Sequence, residues 1–122
     1  MDGYLLEGDR IYVLLREEPD DEYLASLQVT IPEVVYRMGV RGMIVDLAAL
    51  PFLDGSTVRA LCELARTVEL MGAPTVVCGI GPGTAASLAN LGLDLDGLPV
   101  AADKERAEKL LEVMREGVWR GG

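Results

Sequence analysis

The sequence contains no histidine among its 122 residues, and this absence removes several kinds of chemistry. Without histidine there is no Ser-His-Asp or Cys-His catalytic group, and no imidazole is available as a metal ligand. The sequence also offers no other nucleophile paired with a base. We therefore predict no enzymatic activity, no metal site and no cofactor.

Basic residues are also few. The chain has 11 Lys and Arg against 20 Asp and Glu, which gives a formal net charge of −9. A chain this acidic is a poor candidate for contact with nucleic-acid phosphates, and it better suits a soluble protein that meets a basic partner face. No signal-peptide pattern opens the chain, and no apolar run reaches the ~18 residues of a membrane span. We expect a cytoplasmic protein without nucleic-acid or membrane contact.

Cysteine and aromatic residues are scarce as well. Cys62 and Cys78 lie in apolar segments, which indicates buried reduced thiols and agrees with a reducing cytoplasm. Only 5% of the residues are aromatic while 50% are hydrophobic, so Leu, Val, Ile and Ala must fill the core. The length is that of one domain, which we place at residues 1–118, with a tail at 119–122.

Hydrophobic patterning predicts the element order β-β-α-β-α-β-α-β-α. The opening "GYLLEGDRIYVLL" indicates two strands around Gly8, and "IYVLL" is apolar enough for a strand covered on both faces. Strands separated by helices pair in parallel, whereas strands joined by a short turn pair antiparallel. We therefore predict one α/β domain with a mixed, mostly parallel sheet, an N-terminal antiparallel pair and about four to five helices.

The two longest helices are predicted from their apolar spacing. The first begins after the capping pair Asp20–Asp21; further on, Pro32, together with the capping-box spacing of Thr30 and Glu33, predicts a kink or a break. Its expected buried residues are Leu24, Leu27, Ile31, Val34, Val35 and Met38. The second runs from about residue 56 to 71, and its expected buried residues are Val58, Leu61, Leu64, Ala65, Val68 and Leu70.

The segment "FLDGSTVRAL", residues 52–61, joins a strand end to a helix start and carries two adjacent hydroxyls, Ser56 and Thr57. Asp54 and these hydroxyls are residue types that cap helices. A hydroxyl here lies near unpaired N–H groups and the positive end of the helix dipole, where a phosphate is tolerated. The phosphate would add about −1.5 to −2 charges, enough to repel an acidic partner patch or disrupt an apolar contact. The turn is thus predicted to be a cap and a candidate phosphorylation and interaction site.

Three other motifs fit the sequence less well. "GIGPG", residues 79–83, sits between a strand and a helix, but Thr84 occupies the third glycine position of a dinucleotide fingerprint. "LDGST" lacks the first aspartate of the D-x-D-G-T phosphatase motif, because that position is Phe52. A receiver domain would begin strand-helix-strand, whereas two strands open this chain. An ordinary turn with a helix cap therefore remains the prediction for residues 79–83.

Three longer stretches of the sequence, taken together, resemble a known family. "GMIVDLAALPFLDGST", "LMGAPTVVCGIGP" and "SLANLGLDL" follow one another as in a STAS domain, the fold of bacterial anti-sigma factor antagonists, and are most similar to the small STAS proteins of the stressosome. The resemblance implies a regulator that binds a switch serine kinase or anti-sigma factor and other STAS proteins, with homo-oligomers among its assemblies. Its implied role is partner-switching control of transcription in a stress response. The alternative is a structural or small-ligand-binding STAS module that is not phosphorylated.

The resemblance also implies site residues, with one departure. In the family a serine or threonine usually follows the aspartate directly and accepts phosphate from a partner kinase, but here Gly55 follows Asp54. The candidate phosphorylation sites are therefore Ser56, Thr57 and, from the second site of stressosome scaffold proteins, Ser87. The implied partner-binding residues are Asp54, Gly55, Ser56, Thr57, Gly81, Pro82 and Gly83.

Overall fold

A computed structural model describes residues 3–115 of the chain, and the predicted tail at 119–122 lies outside this range. The nine elements follow the predicted order. Their bounds are β1 Tyr4–Glu7, β2 Arg10–Leu14, α1 Asp21–Met38, β3 Gly42–Asp46, α2 Gly55–Leu70, β4 Thr75–Cys78, α3 Pro82–Asn90, β5 Val100–Ala101 and α4 Lys104–Arg115. None of the helices in the described range is long and apolar enough to cross a membrane.

The five strands form one sheet in the order β1-β2-β3-β4-β5. β1 and β2 are antiparallel, and each later neighbour pairs in parallel. The short turn at Gly8, whose φ of 62° suits glycine, reverses the chain between β1 and β2, whereas a helix intervenes before β3, β4 and β5. The prediction of a single mixed α/β domain is confirmed, with four helices in the part of the chain that the structure describes.

The sheet has one thickly covered face and one thinly covered face, because successive strand residues point to opposite sides. α1 and α2 pack on the first face over residues such as Val13, Val45 and Val77. Among residues 3–115, the second face carries only α4, over a small cluster of Ile44, Val76, Cys78, Ala107 and Leu111. Salt bridges add to this contact, including Lys104 Nζ to Glu7 Oε2 at 2.8 Å. The helices therefore leave part of the second face open.

The prediction that β2 is covered on both faces is wrong. Ile11 and Val13 are fully buried against α1 and α2, but Tyr12 is only half-buried and Leu14 is 44% exposed. The reason is the position of α4, which packs on β3, β4 and β5 and contacts β2 at Tyr12 and, through the salt bridge to Glu108, at Arg10. An apolar strand pattern does not say how wide the covering layer is.

Of the kink or break predicted at Pro32, the break does not occur, because α1 is one helix from Asp21 to Met38. Thr30 and Glu33 lie inside it and form no capping box; the helix is instead capped at Asp20, whose Oδ1 accepts a hydrogen bond from Tyr23 N at 2.8 Å. A proline removes one helical hydrogen bond. The buried stripe Leu24, Leu27, Ile31 and Val35 continues past it, and this packing keeps the helix intact.

Four predicted core positions are not fully buried, and one of them, Val34, is half-buried at the margin of the core. Met38 is 59% exposed and Leu70 is 87% exposed, because each lies in the last turn of its helix, beyond the end of the buried stripe. Cys62 is half-exposed on α2, whereas Cys78 on β4 is fully buried, and both thiols are free. The prediction of reduced thiols agrees with the structure, while that of burial holds only for Cys78.

The buried thiol of Cys78 predicts a loss of stability in alkali. Burial and, next, the nearby Asp46 carboxylate raise the pKa of Cys78 from 9.0 to about 11. The Cys78 thiol therefore ionises at a lower pH in the unfolded chain than in the folded one. Its contribution to the free energy of unfolding is fully present below pH 9, and the free energy of unfolding falls by about 2 kcal/mol as the pH rises through 11. Urea unfolding at a series of pH values should show a shallower fall in Cys78→Ala. An equally steep fall in that variant would contradict this origin.

Candidate functional site

The turn before α2 is fixed by Asp54. Its backbone is extended, with φ −120° and ψ 172°, and its Oδ1 accepts a hydrogen bond from Thr57 N at 2.8 Å. Asp54 is therefore the N-cap of α2, and Gly55 is the first helical residue. The backbone at Gly55 does not have positive φ, and an added Cβ would lie 3.9 Å from Leu93 Cδ2, so this position accepts a side chain.

The two adjacent hydroxyl residues have different environments. Ser56 is exposed, and its Oγ donates a hydrogen bond to Asp21 Oδ1 over 3.4 Å, from the start of α2 to the start of α1. Thr57 is only 3% exposed and faces the interior. Of this pair, only Ser56 presents a hydroxyl to a partner without local opening. Asp21 disfavours a phosphate on Ser56 by like-charge repulsion, whereas the helix start and Arg59, which lines the same pocket, favour it.

The segment Gly81–Gly83 packs against the Asp54 turn from the next loop along. Gly81 caps α3 with extended backbone, and Pro82 opens the helix on the surface. A Cβ at Gly83 would lie 1.9 Å from the carbonyl oxygen of Pro51, so only glycine permits this backbone approach. The two loops are therefore brought together by contact between Gly83 and Pro51.

Ser87, the third candidate phosphorylation site, ties α3 to the same turn. Its Oγ accepts a hydrogen bond from Leu53 N at 3.0 Å and donates one to Gly83 O at 2.9 Å. Leu53 is 1% exposed and directly precedes Asp54. The partly buried Ser87 hydroxyl thus holds the turn, and a phosphate there would break both hydrogen bonds.

A groove runs between the Asp54 turn and the loop after β2. Its volume is about 490 Å³, and its lining residues are Glu17, Glu18, Pro19, Asp20, Pro51, Phe52, Asp54 and Thr57. Half of these residues are acidic, and Phe52 is 61% exposed beside them. We call this the acidic groove. It combines negative charge with one exposed aromatic ring, a combination suited to a partner with basic and apolar side chains.

Sequence reasoning missed two parts of this site. The sequence analysis gives residues 16–19 no role in a site, and it uses Phe52 only to exclude the phosphatase motif. The signal that could have placed both is topological: residues 16–20 follow β2 and residues 47–54 follow β3. Parallel neighbouring strands end at the same edge of the sheet, where α/β folds place their sites.

The carboxylates of the groove do not form a recognisable cation site. Within residues 3–115, no group of three or more Asp, Glu or Cys side chains is arranged to hold a metal ion. The chemistry available at this edge of the sheet is therefore that of a charged contact surface with one exposed hydroxyl.

Comparison with known proteins places this geometry in a family. The STAS domain model matches residues 9–107. YezB of Bacillus subtilis (strain 168) is 32% identical over 65 residues, which cover 53% of this chain and 66% of YezB, slightly less than two thirds of that protein.

Solved structures agree with the family match. A serine-to-glutamate variant of RsbS from Moorella thermoacetica is 27% identical with a TM-score of 0.78, over 93% of this chain and 96% of that one. A chain in the solved architecture of the stressosome, a signal integration and transduction hub, is 28% identical with a TM-score of 0.78, over 92% of this chain and 97% of that one. The anti-sigma factor antagonist SpoIIAA, unphosphorylated, shares the fold at 20% identity and a TM-score of 0.68, over 93% and 96%. By the family match and this shared architecture, the chain belongs to the STAS domain family.

Proposed function

We propose that this STAS protein is a cytoplasmic regulator of the anti-sigma factor antagonist type. It binds a switch serine kinase or anti-sigma factor and takes part in partner-switching control of transcription, within an assembly of STAS proteins such as a stressosome. The observation that carries the proposal is the clustering of Asp54, exposed Ser56 and the acidic groove at one edge of the sheet. The similarity to RsbS and to the stressosome chain supports the same role.

The proposed partner-binding surface has a centre and a support. The centre is the Asp54–Thr57 turn with Phe52, because these residues join exposed apolar area to negative charge. Gly81, Pro82 and Gly83 form the flank, and Gly83 supports the turn by its contact with Pro51. Binding of this kind needs no catalytic group on the STAS chain, since the kinase supplies the chemistry.

Of the three candidate phosphorylation sites, exposure favours Ser56. Thr57 is buried, and Ser87 has both of its hydrogen bonds satisfied inside the protein. A phosphate on Ser56 would lie beside Asp21 and Asp54 and raise the negative charge of the docking surface by about −1.5 to −2. Repulsion from these carboxylates would shift the starts of α1 and α2 apart, which changes the surface that a bound partner contacts.

The alternative is a module that binds without being switched, and Gly55 is the observation that favours it, because the usual acceptor position lacks a hydroxyl. Incubation with the cognate serine kinase and ATP, followed by peptide mass spectrometry, separates the two. The switched protein gains phosphate on Ser56, and Ser56→Ala abolishes it. A kinase that binds the protein but transfers no phosphate to any residue would establish the unswitched module.

Replacing Gly55, the residue that differs from the family pattern, gives a sharper prediction. Gly55→Ser places a hydroxyl directly after Asp54, at a position where the backbone and its neighbours accept a side chain. We expect the variant to fold with a free energy of unfolding equal to or up to about 1 kcal/mol above that of the wild type. In a Ser56→Ala background, we also expect Gly55→Ser to be phosphorylated by the cognate kinase about tenfold or more faster than the wild-type chain. A rate no higher than that of the Ser56→Ala single variant would show that Asp54 does not sit at a kinase-accessible turn.

A further inference from the structure

The outer edge of β1 is an open strand edge of a kind that proteins usually protect. No strand within residues 3–115 pairs with it. Its sequence, Tyr-Leu-Leu-Glu, has no lysine, proline or bulge to discourage pairing, and both leucines are solvent-accessible, with Leu5 49% and Leu6 41% exposed. An edge with these properties is a template for another strand.

The sheet face beside this edge is also open and apolar. Leu5 lies opposite Tyr12 on β2, and Leu14 points to the same side two residues on. α4 does not cover this corner, where a cleft of about 130 Å³ is lined by Gly3, Tyr4, Leu5, Tyr12 and Leu14. Pairing at the β1 edge would therefore bury apolar side chains as well as satisfy backbone groups.

The hydrogen bonds of β1 determine which backbone groups are free. Leu14 N donates a hydrogen bond to Gly3 O at 3.1 Å, so the backbone carbonyl of Gly3 points toward β2. Hydrogen-bonded and non-hydrogen-bonded pairs alternate along an antiparallel ladder. The backbone N–H and C=O groups of Leu5 and Glu7 therefore point toward β2 as well. The N–H and C=O groups of Tyr4 and Leu6 point outward.

We propose that two copies of this chain join β1 to β1, antiparallel, around a two-fold axis at Leu5. In an antiparallel pair, the side chains of opposing residues lie on the same face of the sheet, and the outward N–H and C=O groups of the two strands meet. This register satisfies both requirements. Tyr4 of each copy then lies opposite Leu6 of the other and exchanges both backbone hydrogen bonds with it. The two Leu5 side chains become a close non-hydrogen-bonded pair, and the two sheets become one sheet of ten strands.

The charge pattern fits a second copy despite the net charge of −9. In this register Glu7 lies opposite Gly3 of the other copy, so no two carboxylates face each other across the junction. Glu7 is also paired with Lys104 at 2.8 Å within its own chain. The strand is only four residues long, so we expect a weak dimer whose population depends on concentration.

This surface is separate from the acidic groove, because no residue of β1 lines that groove. The dimer would therefore present two docking turns at once. The proposal stands independently of the docking partner, and its test requires only the purified chain.

Disulfide trapping of the full chain in a Cys62→Ser background tests the register. Leu5→Cys places two thiols on a non-hydrogen-bonded pair with α-carbons about 4.5 Å apart, within disulfide reach, so mild oxidation should give a covalent dimer. Leu6→Cys is the matched control on the same strand, where the two α-carbons lie roughly 8–9 Å apart by strand geometry. Val100→Cys, equally exposed at the other sheet edge, is the second control. Neither control should form a covalent dimer.

Sedimentation equilibrium over a concentration series checks the same contact without oxidation. Leu5→Lys puts two like charges opposite each other and should shift the monomer–dimer equilibrium toward monomer about tenfold or more, whereas Val100→Lys should not. The proposal is overturned if the wild-type chain is monomeric throughout the series and folded Leu5→Cys gives no dimer. It is equally overturned if Val100→Cys or Leu6→Cys is trapped as readily as Leu5→Cys.

Discussion

Gly83→Ala is expected to lower the free energy of unfolding by about 2 kcal/mol, although alanine is the better helix former by about 1 kcal/mol. The reason is steric, since the new Cβ would lie 1.9 Å from the carbonyl oxygen of Pro51 and the obstacle is backbone. Either α3 or the loop before the Asp54 turn must move. Urea unfolding monitored by circular dichroism measures the loss.

Gly55→Ala is the matched control, because it also lies in the first turn of a helix. Its Cβ would meet only Leu93 Cδ2 at 3.9 Å, so this variant should be equal to or more stable than the wild type by up to about 1 kcal/mol. If the two variants unfolded at the same urea concentration, the contact between Gly83 and Pro51 would not hold the two loops together.

Leu53→Ala is expected to cost about 3 kcal/mol, the largest single effect that we predict near the site. Leu53 is 1% exposed in the main core, and its backbone N–H is bound by Ser87 Oγ at 3.0 Å. Truncation leaves a cavity beneath the residue that precedes the Asp54 cap. Urea unfolding should show the loss, and slower-exchanging amides of the turn should lose protection.

Phe52→Ala tests partner binding separately from the stability of the turn. The adjacent Phe52 ring is 61% exposed, so its removal should change the free energy of unfolding by no more than about 0.5 kcal/mol. If the acidic groove binds the switch kinase, the same variant should weaken that binding by about tenfold, measured by calorimetry, because exposed aromatic side chains are common binding hot spots. Unchanged affinity in this folded variant would move the docking surface away from Phe52.

The sequence by itself determined the features that depend on short-range interactions. Asp20 and Asp54 cap α1 and α2 by accepting hydrogen bonds from backbone N–H groups three residues on. The order of strands and helices follows from apolar spacing, and the parallel pairing follows from the intervening helices. These inferences held because each depends on residues close together in the chain.

Only the tertiary structure decided which of these residues face solvent. Ser56 and Thr57 are neighbours with the same chemistry, yet one is exposed and the other is 3% exposed, because the rotation of α2 against the sheet turns Thr57 inward. The acidic groove required β2 and β3 to end at the same edge, and the open face at β1 depended on where α4 lies. Burial is set by contacts between elements distant in sequence, which a local pattern does not specify.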